Sequence, residues 1–121
     1  MRILVTGASG LIGSNLFRKL KDEGYDVIGI STKDGDLRDK DYCNKVTKDV
    51  DVVFHCAANT SGAHVMQSSP LSHVTPNVVM NVNFMESCYL NGVKKFIFMS
   101  SSVIYPYTAE KPNKEDEFTF G

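Results

Sequence analysis

"TGASGLIG", residues 6–13, is the stretch on which the reading of the chain turns. It follows "RILVT" (2–6), a short apolar run of β-forming residues. It opens a segment from Leu11 to Glu23 in which Ile12, Leu16 and Leu20 recur every four residues, beside Leu11 and Phe17. That spacing is one apolar face of a helix, and Gly24 is placed to stop it. A buried strand therefore hands over to an amphipathic helix through a glycine-rich turn.

Outward from that turn, strand and helix patterns alternate. "YDVIGI" (25–30) is a second strand, and a short helix is expected around 39–48. "DVVFHCA" (51–57) is a third strand with little polar interruption, and 58–74, rich in Ser, His and Asn, is expected to be a loop. Thr75-Pro76 has the form of an N-cap followed by proline at the first helical position, where the missing N–H is harmless. Val78, Val82, Met85 and Tyr89 form the face of that helix, Asn91-Gly92 ends it, and "VKKFIFMSS" (93–101) is a fourth strand. Beyond Tyr105 the chain turns polar. Such alternation implies right-handed βαβ units and a parallel sheet covered on both faces. The expected class is α/β, a doubly wound, Rossmann-type parallel sheet with strand order 3-2-1-4. Ligands of such sheets bind outside the carboxyl ends of the strands where the order reverses, which would bring "TGASGLIG" beside "SSSVIY" (100–105).

Each glycine of the turn has a mechanical task. Gly7 makes the tight bend, Gly10 lets backbone approach a pyrophosphate, and Gly13 lets the helix lie close to the sheet. The helix N-terminus offers free N–H groups and partial positive charge to phosphates. Dinucleotide binding is the expectation, against a merely structural turn. The absence of Gly-Lys-Ser/Thr excludes a nucleoside-triphosphate loop. An NAD site normally carries an acid at the end of strand two; here Ser31-Thr32-Lys33 stands there. A cation among hydroxyls suits a 2′-phosphate, so NADP is favoured over NAD, unless Lys33 is simply a solvated loop charge.

Size and composition narrow the rest. With 121 residues, 42 % hydrophobic and 22 % charged, the chain suffices for one compact domain. A net charge of −1 without a basic block argues against a nucleic-acid or membrane-surface partner. Apolar runs are strand-sized, so no bilayer span is expected, and "MRILVTGASG" is a first strand rather than a signal peptide. Cys43, Cys56 and Cys88 are far apart and His55, His64 and His73 have no ligand spacing. Reduced thiols in a cytoplasmic protein, and no metal site, are expected.

Five ordered stretches now carry a resemblance: "TGASGLIG" (6–13), "GDL" (35–37), "AA" (57–58), "NVVMNVNFMESC" (77–88) and "GVKKFIFMSSSVIYP" (92–106). Together they resemble the extended short-chain dehydrogenase/reductases, the NAD(P)-dependent epimerases and dehydratases of nucleotide sugars. The branch most similar is that of the GDP-L-fucose synthases, through the short path from strand two to Asp36-Leu37, "SSVIYP" and "AEKP". The resemblance implies that Gly7, Gly10 and Gly13 hold the pyrophosphate with Ser9, Leu11 and Ile12 beside it. It implies that Asp36 and Leu37 flank the adenine, that Ala57 and Ala58 line the ribose side, and that Asn77 sits on the following helix at the cofactor site. Ser101 aligns with the catalytic serine when Tyr105 is placed on the family's "IYP" tyrosine. The substrate implied is a nucleotide sugar, and the full-length enzyme a homodimer. Val103 departs, standing where fucose synthases resemble "SSCIYP", and valine cannot carry a proton. That favours a general epimerase, dehydratase or reductase.

The family's chemistry uses a tyrosine as acid–base. Its pKa of about 10 must fall by roughly 3 units, which a neighbouring lysine and the cofactor's positive nicotinamide can supply. Tyr107-x-x-x-Lys111 has the required spacing, but the residues between Pro106 and Pro112 are too few for a stable helical turn. Tyr107 is therefore read as a decoy, and 1–121 as the N-terminal portion of an NAD(P)-binding domain, with the catalytic tyrosine and the substrate domain absent. The alternative is a non-catalytic NAD(P)-binding sensor or scaffold module.

Overall fold

In a computed structural model the chain is described over residues 1–101, 104–106 and 111–117. Among these residues the elements are β1 (Arg2–Thr6), α1 (Leu11–Asp22), β2 (Asp26–Ile30), α2 (Lys40–Val46), β3 (Val52–His55), α3 (Ala63–Ser68), α4 (Pro70–Leu90) and β4 (Lys95–Phe98). All strand pairs are parallel. β1 lies between β2 and β3, with Leu4 beside Ile28 on one side and Val53 on the other. It is correspondingly apolar on both faces, with Ile3, Leu4, Val5 and Thr6 all buried.

The doubly wound parallel class is as expected, but the strand order is β2-β1-β3-β4, not 3-2-1-4. Handedness explains the difference. α1 packs on β1 and β2, whereas α2 packs against α4. Leu4, Ile30 and Val53 share a core with Cys43 of α2 and with Phe84 and Cys88 of α4. A right-handed crossover through a helix on the face opposite α1 must move in the opposite direction, past β1 to its far side. The reversal therefore falls between β1 and β3, and β3 separates β1 from β4. The two stretches expected to be adjacent are one strand apart.

Residues 58–74 are not a simple loop, since they hold α3 and the start of α4. Pro70, not Pro76, takes the first-turn position, and Pro76 lies inside the helix. A proline there leaves the Ser72 carbonyl without its N–H partner. The Asn59 side chain donates to that carbonyl at 3.5 Å. Ser69 makes no side-chain cap, so no cap marked the true start in the sequence. The inward face of α4 also differs from the apolar stripe of Val78, Val82, Met85 and Tyr89, which are exposed. Phe84, Ser87 and Cys88 are the residues buried. α4 is apolar on two sides, and periodicity alone does not say which one meets the sheet. No described helix is long and apolar enough to cross a membrane.

Candidate functional site

Outside the carboxyl ends of β1 and β3 lies a cleft of about 650 Å³. Its floor is the glycine turn. Gly7 has φ of +65°, and a Cβ there would meet the Cys56 carbonyl and Ala57 nitrogen at 2.8 Å. The bend thus needs glycine both for its conformation and for the approach of β1 to β3. The Ala8 N–H donates to the Ile30 carbonyl at 3.0 Å and the Gly10 N–H to the Gly7 carbonyl at 2.9 Å, fixing the turn between β2 and α1. The first intrahelical bond of α1 runs from the Ser14 N–H to the Gly10 carbonyl. The amides of Leu11, Ile12 and Gly13 have no partner within the helix, and its first turn holds no acid. This is an anion cradle without a competing carboxylate.

One wall descends from β2 through Ile30, Ser31, Thr32, Gly35, Asp36, Leu37 and Arg38. The Asp34 carboxylate accepts from the Ser31 N–H at 2.8 Å and its hydroxyl at 2.9 Å, and these bonds hold it below the usual carboxylate range. Asp36 is lowered likewise by Arg38, whose Nε and Nη2 reach the carboxylate oxygens at 3.0 and 2.6 Å. The Arg38 carbonyl accepts from the Asn83 side chain of α4 at 2.7 Å.

The facing wall is Cys56, Ala57, Ala58, Asn59 and Thr60, closed by Pro76 and Met80 of α4. Behind it the buried His55 ring stacks on Phe84 at 4.8 Å between centroids. His55 Nδ1 lies 2.8 Å from Thr6 Oγ1 and Nε2 lies 2.9 Å from Asn81 Oδ1. Thr6 Oγ1 accepts the Ala57 N–H at 3.1 Å. Since an amide oxygen only accepts, Nε2 carries the proton, and the Thr6 hydroxyl donates to Nδ1. Burial lowers the pKa of His55, consistent with this neutral tautomer. Burial also raises the Cys56 thiol and pushes those of Cys43 and Cys88 up to about 11 and about 12, so none supplies a thiolate near neutral pH.

Of the residues expected at the site, Gly7, Ser9, Gly10, Ser31, Thr32, Asp36, Leu37, Ala57 and Ala58 line the cleft together. Leu11 and Ile12 expose their side chains, leaving their backbone amides as the groups on offer. Gly13 sits beneath, where a Cβ would strike the Gly7 carbonyl. Lys33 and Asn77 are not among the lining residues. Asn77 instead holds Asn59, accepting its N–H and donating to its carbonyl, each at 2.8 Å. Ser101 is exposed beyond β4, and its backbone carbonyl accepts the Ile104 N–H at 3.3 Å. Tyr107 and Val103 lie outside the described residues, and Lys111 pairs with Glu117 at 3.1 Å. Ile30, Gly35, Arg38, Cys56, Asn59, Thr60, Pro76 and Met80 were not anticipated. Gly35, which opens "GDL", and Arg38, a cation directly after it, had a signal in the sequence.

Residues 3–120 match the NAD dependent epimerase/dehydratase family. The chain belongs to that family. It is similar to GDP-mannose 3,5-epimerase 1 of Oryza sativa subsp. indica, at 38 % identity over 88 % of this chain and 32 % of that protein. It is similar to a GDP-L-fucose synthase of Azorhizobium caulinodans, at 30 % identity over 99 % of this chain and 39 % of that protein. UDP-glucose 4-epimerase from Bifidobacterium longum, solved in complex with NAD+ and UDP, superposes with a TM-score of 0.86 at 26 % identity, covering 100 % of this chain and 43 % of that one. The family member thus spans about a third to two-fifths of the length of these relatives.

Proposed function

We propose that the chain forms the cofactor-binding part of an NAD(P)-dependent epimerase, dehydratase or reductase acting on a nucleotide-linked sugar. The observation that carries this reading is the cleft at the β1–β3 reversal, floored by an acid-free glycine turn and free helix amides. Gly7, Ser9, Gly10 and the Leu11 and Ile12 amides would hold the pyrophosphate. Asp36 and Leu37 would flank the adenine, and Ala57 and Ala58 would line the ribose side. When bound, the cofactor supplies the acceptor or donor of a hydride exchanged with a sugar carbon. Ser101, beyond β4, would hydrogen-bond the sugar oxygen. GDP-linked sugars are the first substrates to test, because the curated relatives above carry GDP-sugar names.

Preference for NADP rests on the end of β2. Asp34 is turned onto the Ser31 backbone and hydroxyl and does not line the cleft, while Arg38 does. A 2′-phosphate would meet hydroxyls there and a guanidinium that it would have to share with Asp36. The expected advantage of NADPH over NADH is about tenfold, the worth of one charge-assisted hydrogen bond. Tighter NADH binding would overturn that preference. A homodimer is supported by the outward stripe of α4, where Leu71, Val74, Val78, Val82, Met85 and Tyr89 are all exposed.

The test is to titrate the chain with NADPH and NADH, then to assay it with GDP- and UDP-linked sugars. Dinucleotide binding without sugar turnover is expected. Turnover by this chain alone would make Tyr107 and Lys111 the working pair, and failure to bind either dinucleotide would remove the reading.

A further inference from the structure

We infer that Asn77 and Asn81, one turn apart on α4, are positioning residues that pre-set the β3-side wall of the cleft through two separate hydrogen-bond paths. This rests on the reading of the cleft as a dinucleotide site. The wall is a stretch of backbone, Ala57 to Thr60, that follows β3 without belonging to a strand or helix. Such a segment samples many conformations unless its backbone groups are tied, and ordering it on ligand binding weakens affinity.

Both ties originate on α4. Asn77 Oδ1 accepts the Asn59 N–H at 2.8 Å and Asn77 Nδ2 donates to the Asn59 carbonyl at 2.8 Å. The same Nδ2 donates to the His73 carbonyl one turn back, also at 2.8 Å, which holds the amide in this orientation. Asn59 in turn donates from its side chain to the Ser72 carbonyl that Pro76 leaves without a helical partner. The proline inside the helix thus frees an acceptor that the loop uses. The second tie is longer. Asn81 accepts from His55 Nε2, which leaves Nδ1 as the acceptor for the Thr6 hydroxyl. The hydroxyl then turns a lone pair toward the Ala57 N–H. Thr6 directly precedes Gly7, so this path also links the wall to the glycine turn. Neither amide is among the residues lining the cleft, so both act through Asn59 and Ala57.

Two readouts test this. Amide hydrogen exchange in the chain without ligand reports the ties directly. Asn77→Ala should speed exchange at Asn59, and Asn81→Ala at Ala57, by about tenfold or more, the worth of one lost hydrogen bond, with Leu4 and Val53 unchanged. NADPH affinity should fall by a similar, about tenfold factor. Val46→Ala, which trims a residue packed on the core away from the cleft, controls for general destabilisation. It should lower the melting temperature without moving affinity. The inference is overturned if exchange at Asn59 and Ala57 is unchanged in the two variants, or if their affinity loss is matched by Val46→Ala. If the unaltered chain binds no dinucleotide, the cofactor reading fails, while the exchange measurement still decides whether the ties order the wall.

Discussion

At Gly13 two residue-scale effects oppose each other. Alanine in a helix interior is favoured over glycine by about 1 kcal/mol. A Cβ at Gly13 would, however, sit 2.7 Å from the Gly7 carbonyl carbon and 3.2 Å from the Ala8 Cα, and backbone there cannot swing aside. Gly13→Ala should therefore destabilise the fold by about 1–3 kcal/mol in urea unfolding, the range for overpacking, and shift the turn under the cleft. His55 supplies a pH signature. Burial holds its pKa below the ordinary 6.5, so the unfolded chain takes up a proton at higher pH than the folded one. The stability this contributes is complete above about pH 6.5 and is lost as pH falls from there toward the lowered folded value. Urea midpoints measured between pH 7 and 5 should decline, and that slope should flatten in His55→Phe, which keeps an aromatic ring beside Phe84. The glycines were legible because only one residue type meets each demand. The part His55 plays was not, since a lone histidine in an apolar strand gives no hint that Thr6 and Asn81 lie on either side of it.

At the scale of elements, a cap shows how local chemistry sets a boundary. Asp39 accepts the Asp41 N–H at 2.9 Å and starts α2, the seven-residue helix that the sequence places at 39–48. Asp39→Ala should cost about 1 kcal/mol of unfolding free energy. The short helix carries little margin, so its loss of order should be visible first in exchange at Cys43. α4 was read less well. Its start has no capping side chain, and Pro76 resembled a beginning although it lies inside the helix. The carbonyl freed by that proline is met by Asn59, a tertiary contact that no local pattern contains. Strand order was missed for a related reason. Alternating strands and helices reveal the sheet's parallel nature, but the face taken by α2 depends on Cys43 and Leu37 joining the same core as Phe84.

For the whole molecule, the arrangement that matters is the reversal between β1 and β3. It opens the cleft, and the glycine turn, the Ser31–Arg38 segment and the Ala57–Thr60 wall are brought around it by topology rather than by nearness in sequence. Much of that site could be read beforehand through motif resemblance, whereas Asn59, Pro76 and Met80 emerged only once the loops and α4 were placed. The outward stripe of α4 bears on assembly. If it joins two copies, Val82→Glu should shift sedimentation from that of a dimer to that of a monomer while changing stability by no more than about 0.5 kcal/mol. The most direct measurement is a calorimetric titration of the chain with NADPH, repeated with Gly10→Asp. A Cβ at Gly10 would meet the Gly7 carbonyl oxygen at 3.3 Å, and the added carboxylate would put a negative charge on a residue that lines the cleft beside the helix amides. Saturable one-to-one binding that disappears in Gly10→Asp is predicted; no binding by the unaltered chain, or binding that Gly10→Asp leaves intact, would contradict the account.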